Sequence, residues 1–192
     1  MVRGAFLKLN IKGAENLPAY PNNPAVIVAN HASNYDIYLL EILMQGYPHV
    51  WLSKESYLKI PLFGFLIKRF GVPVDRENAF KAGKALVRAY NLVVGNARHL
   101  VLFPEGTRFD DGKIHNFHSG FAVLAKKLGR PVVPIFVSGL DKFLPKRNWL
   151  VSPEFRNITI IVGKPVFCGQ DESSDLFSAR IQDWFCKNLK SF

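Results

Sequence analysis

The stretch from Asn30 to Asp36 constrains the fold most, because it joins a strand-like run directly to a helix-like run. Before it, residues 25–29 are apolar and rich in β-branched side chains, and after it, residues 37–44 carry apolar side chains at helical spacing. His31 stands where the predicted strand ends. In α/β folds, functional side chains gather at such junctions, since the strand end is rigid and the helix N-terminus offers unpaired N–H groups.

Two interpretations of this junction are open. Imidazole titrates near neutral pH, so His31 could accept a proton from a substrate hydroxyl while Asp36 holds the second ring nitrogen and fixes the tautomer. Alternatively, Ser33 and Asp36 form the capping box S-x-x-D at the start of the helix, and His31 is a polar loop residue. The spacing by itself favours the capping box.

The remaining chain continues to alternate between strand-like and helix-like runs. Residues 54–70 interleave apolar and basic side chains, which fits either a core helix interrupted by Pro61 and Gly64 or a helix lying on a membrane surface. No repeat or linker divides the chain, so a single domain over residues 1–192 is expected. Further strands are predicted at residues 6–11, 49–53, 71–74, 100–103, 131–137 and 158–162, and helices at residues 77–98, 120–128 and 177–189.

Charge and composition narrow the class of partner. The net charge of +10 indicates an anionic partner, which could be nucleic acid, acidic lipid, a phosphate ester or an acidic carrier protein. The 16 phenylalanines favour a site that also accepts hydrocarbon, and nucleic acid is not the expected partner. A basic and aromatic segment at residues 142–149 suits a membrane interface and suits a solvated loop equally.

We expect an intracellular protein, because neither a secretory signal nor a disulfide framework is evident in the sequence. The apolar run at residues 60–67 is far shorter than the ~20 residues of a membrane-spanning helix, and the N-terminus lacks the apolar core of a signal peptide. Cys168 and Cys186 have no metal-type spacing, so we expect them to be structural in a reducing compartment.

A second group of unusual residues follows the predicted strand at residues 100–103. Gly106 permits a tight backbone path, and Arg108 could clamp a phosphate through two parallel N–H donors. Glu105 would repel a phosphate, so it is expected to orient an arginine or to accept a hydrogen bond from a substrate hydroxyl. A surface turn with a Glu–Arg pair is the alternative.

Two other kinds of site are not favoured downstream. His115 and His118 are three residues apart, but a zinc site would need more ligands than the sequence offers nearby. Ser119 does not belong to a nucleophile elbow, because Phe117 stands where the motif G-x-S-x-G requires glycine.

Four short motifs stand in order along the chain: H-x4-D at residues 31–36, D-R ending at Arg76, F-P-E-G-T-R at residues 103–108, and V-P-I at residues 133–135. Together they resemble the four blocks of the glycerolipid acyltransferases, and in particular the 1-acyl-sn-glycerol-3-phosphate acyltransferase branch. The resemblance spans most of the chain. It implies an α/β fold in which a central, mostly parallel or mixed sheet is flanked by helices.

The resemblance also implies a reaction. A fatty acyl group would pass from acyl-CoA or an acyl carrier protein to the free hydroxyl of 1-acyl-glycerol-3-phosphate, with His31 as general base and Asp36 orienting it. No cofactor or metal would be needed beyond that co-substrate, and the enzyme would work in the cytoplasm, peripherally on the anionic inner face of the membrane. The acceptor's phosphate and glycerol would be bound by Arg76, Glu105, Gly106, Thr107, Arg108 and His118.

The chain departs from that pattern in two ways. Where many relatives have F-K-x-G, it has Phe117-His118-Ser119-Gly120, so the acceptor could be another lysophospholipid or an amphiphilic alcohol. The chain also starts only thirty residues before His31, without the hydrophobic N-terminal segment of many relatives. A non-catalytic basic protein that binds anionic lipid or nucleic acid, or a metal hydrolase, would be the alternatives from other classes.

Overall fold

The computed structural model describes residues 7–18, 22–59, 61–109, 111–143 and 156–191. Within these ranges, short 3₁₀ turns occupy Ala14–Asn16 and Glu55–Lys59. The strands are β1 (Leu7–Lys12), β2 (Val26–Ala29), β3 (His49–Lys54), β4 (Gly71–Val74), β5 (His99–Leu102), β6 (Val132–Ser138) and β7 (Arg156–Val162). The helices are α1 (Tyr35–Met44), α2 (Pro61–Phe70), α3 (Ala79–Val93), α4 (Gly120–Leu128), α5 (Leu140–Phe143) and α6 (Ser174–Leu189).

The strands form one mixed sheet in the order β1-β7-β6-β2-β5-β3-β4. The five strands from β6 to β4 are parallel to one another, β7 is antiparallel to β6, and β1 is parallel to β7. This confirms the expected α/β fold with a mixed sheet flanked by helices. The carboxyl ends of five neighbouring strands therefore meet at one edge, where residues 30–36, 75–76 and 103–108 follow β2, β4 and β5.

The central strands are apolar throughout because both faces of the sheet are covered, as is usual for parallel strands. In β2, Val26 and Val28 pack into the core beneath α3, α4 and α6, whereas Ile27 and Ala29 pack on the opposite face beneath α1. All four residues of β2 are fully buried. Packing on both faces fixes the carboxyl ends of these strands, where residues 30–36, 75–76 and 103–108 lie and which we refer to as the functional edge.

Two helix boundaries differ from the predicted ones for local reasons. The helix predicted at residues 77–98 runs only from Ala79 to Val93, because the Asn78 side chain caps its start by accepting from the Lys81 N–H (3.0 Å) and the chain turns away at Gly95 with φ +71°. The helix predicted to be interrupted by Pro61 instead begins there, since the first helical position does not need an N–H donor.

The segment between β3 and β4 is built around a close approach of backbones. Gly64 of α2 packs so tightly against the Leu58 carbonyl of the preceding 3₁₀ turn that a Cβ there would overlap it. In the part of the chain that the structure describes, neither α2 nor any other helix has the length and apolar content required to span a bilayer.

His99, at the amino end of β5, is a buried titratable group away from the functional edge. It is 1% exposed, and its Nδ1 accepts a hydrogen bond from the Ala25 N–H (3.1 Å). Burial, reinforced by the charges of His49 and Arg130, lowers the pKa of His99 to about 4. Histidine in an unfolded chain titrates near 6.5, so between these two pH values the unfolded chain binds a proton that the folded chain does not.

We therefore expect acid to destabilise the fold through His99. As pH falls from about 6.5 to about 4, this residue should remove on the order of 3 kcal/mol from the free energy of unfolding. His99→Asn keeps an acceptor for the Ala25 N–H but does not titrate, so urea denaturation at several pH values should show a smaller acid loss than in the wild type.

His49 provides the control of opposite sign. Burial opposes its charge, but its hydrogen bonds to Glu41 (3.0 Å) and to the Tyr47 carbonyl outweigh burial and raise the pKa of His49. A raised pKa contributes stability at acid pH, and because the charge of His49 also lowers the pKa of His99, the control is made in the His99→Asn background, where adding His49→Asn should steepen the acid loss. An unchanged slope in His99→Asn would contradict the assignment.

Candidate active site

His31 and Asp36 form a buried pair at the carboxyl end of β2. His31 Nδ1 lies 2.8 Å from Asp36 Oδ2, with His31 7% and Asp36 0% exposed. The same Oδ2 accepts hydrogen bonds from the backbone N–H groups of Ala32 and Ser33, each at 2.8 Å. One oxygen of Asp36 therefore both orients the histidine ring and accepts from the backbone just before α1, so the contacts required by the two interpretations of the sequence are compatible with each other.

The imidazole is fixed by its ring contacts as well. The His31 ring stacks on Phe103 with centroids 3.9 Å apart and planes 7° from parallel. Because Nδ1 faces Asp36, Nε2 is the nitrogen that a substrate could reach. The pair can therefore take a proton from a hydroxyl at Nε2 and stabilise the imidazolium that results.

The backbone around His31 is tied to two neighbouring strands. Asn30 exchanges two hydrogen bonds of 2.8 Å with the backbone of Val137 on β6. The His31 N–H donates to Glu105 Oε1 (3.0 Å), and the His31 carbonyl accepts from the Phe109 N–H (3.0 Å). The histidine is therefore held by β2, β6 and the turn after β5 at once.

Glu105 has a different environment from the one expected. It is 5% exposed, and its second oxygen, Oε2, accepts from the His115 N–H (3.2 Å). Burial raises the pKa of this carboxyl to about 7, although its hydrogen bonds from the His31 and His115 N–H groups favour the charged form. Both oxygens meet backbone N–H groups, so in this structure Glu105 holds the histidine loop rather than an arginine.

Arg76, Gly106 and His118 come together beside that loop. Gly106 has φ +78°, and a Cβ built on it would lie 2.5 Å from Arg76 Nη1 and 3.0 Å from His118 Cδ2. Arg76 Nη1 is buried and has no hydrogen-bond partner among the described residues. A buried donor without a partner is costly, so an anion that accepts from it would be favoured. We refer to these three residues as the basic cradle.

His31, Asp36 and Glu105 form a histidine cluster, which shares one turn of the chain with the basic cradle. Glu105 belongs to the histidine cluster and Gly106, the next residue, belongs to the basic cradle. Thr107 continues the turn as an exposed residue and Arg108 as a half-buried one. The structure thus brings the sequence-predicted residues of three separate motifs to one edge of the sheet.

The histidine pair predicted not to bind zinc has other partners. His115 Nε2 lies 2.9 Å from Asp111 Oδ2, and its ring stacks on Phe109. Across the described ranges, no group of three or more His, Cys, Asp or Glu side chains is placed to hold a metal ion. Cys168 and Cys186 are free and half-buried.

A cavity of about 210 Å³ lies against His31. It is bounded by the end of β6, by Phe109 and residues 112–114, and by Leu189 at the end of α6. Its walls combine apolar side chains with the polar or charged side chains of Asn30, His31, Glu105, Lys113, Ser138 and Asp141. The sequence did not indicate it, because its walls come from segments far apart in the chain. The basic and aromatic segment at residues 142–149, which suits a membrane interface and a solvated loop equally, lies mostly outside the described residues.

Comparisons with known proteins agree on one family. A family model described as Acyltransferase matches residues 8–138. A chloroplastic 1-acyl-sn-glycerol-3-phosphate acyltransferase of Brassica napus is 36% identical over 163 residues, which are 84% of this chain and 46% of that protein. A Pseudomonas aeruginosa 1-acyl-sn-glycerol-3-phosphate acyltransferase is 28% identical over 83% of this chain and 59% of its own length. The chain thus spans about half the length of the curated relatives that it matches.

A solved structure shares the fold. The crystal structure of the 1-acyl-sn-glycerophosphate acyltransferase PlsC from Thermotoga maritima superposes with a TM-score of 0.79 at 27% sequence identity. The match covers 97% of this chain and 72% of that one.

Proposed function

Because the chain belongs to the acyltransferase family, whose model matches residues 8–138, we propose that it transfers a fatty acyl group from an acyl thioester to the free hydroxyl of 1-acyl-glycerol-3-phosphate, giving phosphatidic acid. The names of its relatives support this acceptor. The observation that carries the proposal is the buried His31–Asp36 pair, 2.8 Å apart, beside a cradle whose arginine has a buried unpartnered donor.

The chemistry follows from the geometry of the pair. His31 Nε2 removes the proton of the acceptor hydroxyl, and Asp36 stabilises the imidazolium. The alkoxide attacks the thioester carbonyl, the tetrahedral oxyanion collapses, and the C–S bond breaks. Thiols ionise near pH 8.5, so the thiolate leaves without a strong general acid and can recover the proton from His31. No covalent acyl-enzyme and no cofactor are required.

The remaining site residues divide by the part of the acceptor that they meet. Arg76 and His118 bind the phosphate, and Gly106 leaves room for it between them. Thr107 and Arg108 lie further along the same turn and complete the glycerol phosphate site, while Glu105 keeps the turn in register with His31. The cavity beside His31 takes the apolar part of a substrate next to the reacting carbonyl.

The acyl donor and the lipid acceptor both suit a basic protein at a membrane surface. Coenzyme A and acyl carrier protein are anionic, and the net charge of +10 favours either of them as well as an anionic bilayer. We place the reaction at the inner face of the membrane, with the protein bound peripherally from the cytoplasm.

An acceptor panel tests this function. Purified protein is incubated with acyl-CoA or acyl-ACP and with lysophosphatidate, its dephosphorylated analogue or lysophosphatidylcholine, and free thiol is measured. Thiol release that depends on lysophosphatidate supports the proposal. Equal rates with the dephosphorylated analogue would remove the phosphate assignment, preference for another lysolipid would change the acceptor, and no release with either donor would remove the enzymatic function.

Gly106→Ala should weaken acceptor binding specifically. The new Cβ would overlap Arg76 Nη1, and displacing a charge-assisted hydrogen bond should raise the KM for lysophosphatidate by about tenfold to a hundredfold. Gly95→Ala is the matched control, because Gly95 has a similar φ of +71° but its Cβ would meet nothing within 4 Å. Both variants share the cost of a side chain at positive φ, and Gly106→Ala adds the overlap with Arg76, so an equal KM in the two would contradict the cradle.

A further inference from the structure

The basic cradle combines a permanent cation with a titratable one. Arg76 keeps its charge at any physiological pH, whereas the charge of His118 depends on its surroundings. His118 Cδ2 and Arg76 Nη1 approach the same point, the position that a side chain on Gly106 would occupy. The two side chains therefore flank one space, with His118 exposed and the arginine donor buried.

The groups around His118 make its charged form unfavourable while the cradle is empty. Burial and the charge of Arg76 lower the pKa of His118. On the α6 side, the residue next to it, Phe117, is held by the neutral Gln182, and on the α3 side Leu86 packs against Gly120. Tyr57, in the 3₁₀ turn, acts on Arg76 rather than on His118, and the Glu105 carboxylate is engaged with the His31 and His115 N–H groups.

A phosphate monoester reverses this balance. It carries between one and two negative charges at neutral pH, with a second pKa near 6, and it would lie between Arg76 and His118. The dianion both offsets the repulsion from Arg76 and accepts a hydrogen bond from a protonated imidazole. His118 is thus disfavoured as a cation before binding and favoured as one afterwards.

We propose that His118 takes up a proton from solvent when the acceptor phosphate enters the basic cradle, so that acceptor binding strengthens as pH falls. The proposal rests on the function proposed above and adds that binding of the acceptor is coupled to the uptake of a proton by His118. In the window between the free and bound titration points of His118, the dissociation constant should rise up to about tenfold per pH unit. Below pH ~6 the protonation of the phosphate itself opposes the effect.

Calorimetry measures the proton directly and does not require turnover. Glycerol 3-phosphate is titrated into the protein at about pH 7.5 in buffers of different ionisation enthalpy, and the slope of heat against that enthalpy gives the protons taken up. We expect uptake in the wild type and in His115→Gln, the matched control three residues away. We expect binding with less uptake in His118→Lys and weaker binding with less uptake in His118→Gln, where Glu105, whose pKa burial raises to about 7, is the remaining group that can take up a proton.

A kinetic series completes the test. The KM for lysophosphatidate should rise with pH in the wild type and depend less on pH in His118→Lys. Proton uptake without turnover would leave this inference standing and remove the proposed function, whereas turnover without uptake would do the reverse. No binding of glycerol 3-phosphate at millimolar concentrations, or equal uptake in His118→Gln, would overturn the inference.

Discussion

Replacing His31 with alanine should lower kcat for thiol release by at least ~10²–10⁴-fold, the range expected for loss of a general base. The reason is that Nε2 of His31 is the basic atom proposed to meet the acceptor hydroxyl, and its ring is held in one plane by Asp36 and Phe103. The measurement is the rate of thiol release with lysophosphatidate and either thioester donor at saturating concentrations.

The loss of activity in His31→Ala has to be separated from a loss of the folded state. The variant loses a stacking contact on Phe103, so thermal unfolding should be followed in parallel, and His31→Gln fills more of the same space without a basic nitrogen. His115→Gln should retain activity close to the wild type. A His31→Ala protein that folds and keeps its rate within tenfold would exclude the histidine as the base.

Asp36→Asn should cost almost as much, about 10²–10⁴-fold in kcat, with a smaller loss of stability than Asp36→Ala. Oδ2 of Asp36 carries all three of its hydrogen bonds, whereas the buried Oδ1 has no partner among the described residues. An asparagine can place its carbonyl where Oδ2 lies and its NH₂ where Oδ1 lies. The variant then keeps the three hydrogen bonds and the histidine tautomer and loses the negative charge, while its NH₂ group is buried without an acceptor among the described residues, at a cost of roughly 1–3 kcal/mol.

This arrangement makes Asp36→Asn more informative than Asp36→Ala. The alanine variant would also leave the Ala32 and Ser33 N–H groups without their acceptor, which costs roughly 1–3 kcal/mol for each buried group. Thermal unfolding should therefore separate the two variants although both lose activity. Wild-type kcat in Asp36→Asn would show that Asp36 is a helix cap and no part of the chemistry.

The sequence was sufficient to predict the strands and the positions of the functional motifs. Runs such as residues 25–29 and 131–137 are apolar because both faces of the sheet are covered, so their pattern is nearly independent of long-range detail. The motifs that follow β2, β4 and β5 were predicted to cooperate, and they do lie at one edge of the sheet.

The sequence did not predict the hydrogen-bond partners of individual side chains. For Glu105, the sequence suggested an arginine or a substrate hydroxyl as partner and did not indicate the N–H groups of His31 and His115, which its two oxygens accept from in the structure. Nearly every residue has a backbone N–H group, so the sequence does not indicate which of them a given carboxylate will bind. The same holds for Asn30, whose amide bridges β2 to β6 across 107 positions of the chain, and for the double use of Asp36 Oδ2.

The pairing of β1 affects how the protein folds during its synthesis on the ribosome. Leu7 is opposite Arg156, and within the described part of the chain β7 is the only strand that β1 pairs with. Ribosomes add about 5–20 residues per second, so β1 must wait on the order of ten seconds before its partner exists. During that time the backbone N–H and C=O groups of β1 lack their strand partner, and Lys8 and Lys12 carry charges of the kind that discourage pairing with other nascent chains.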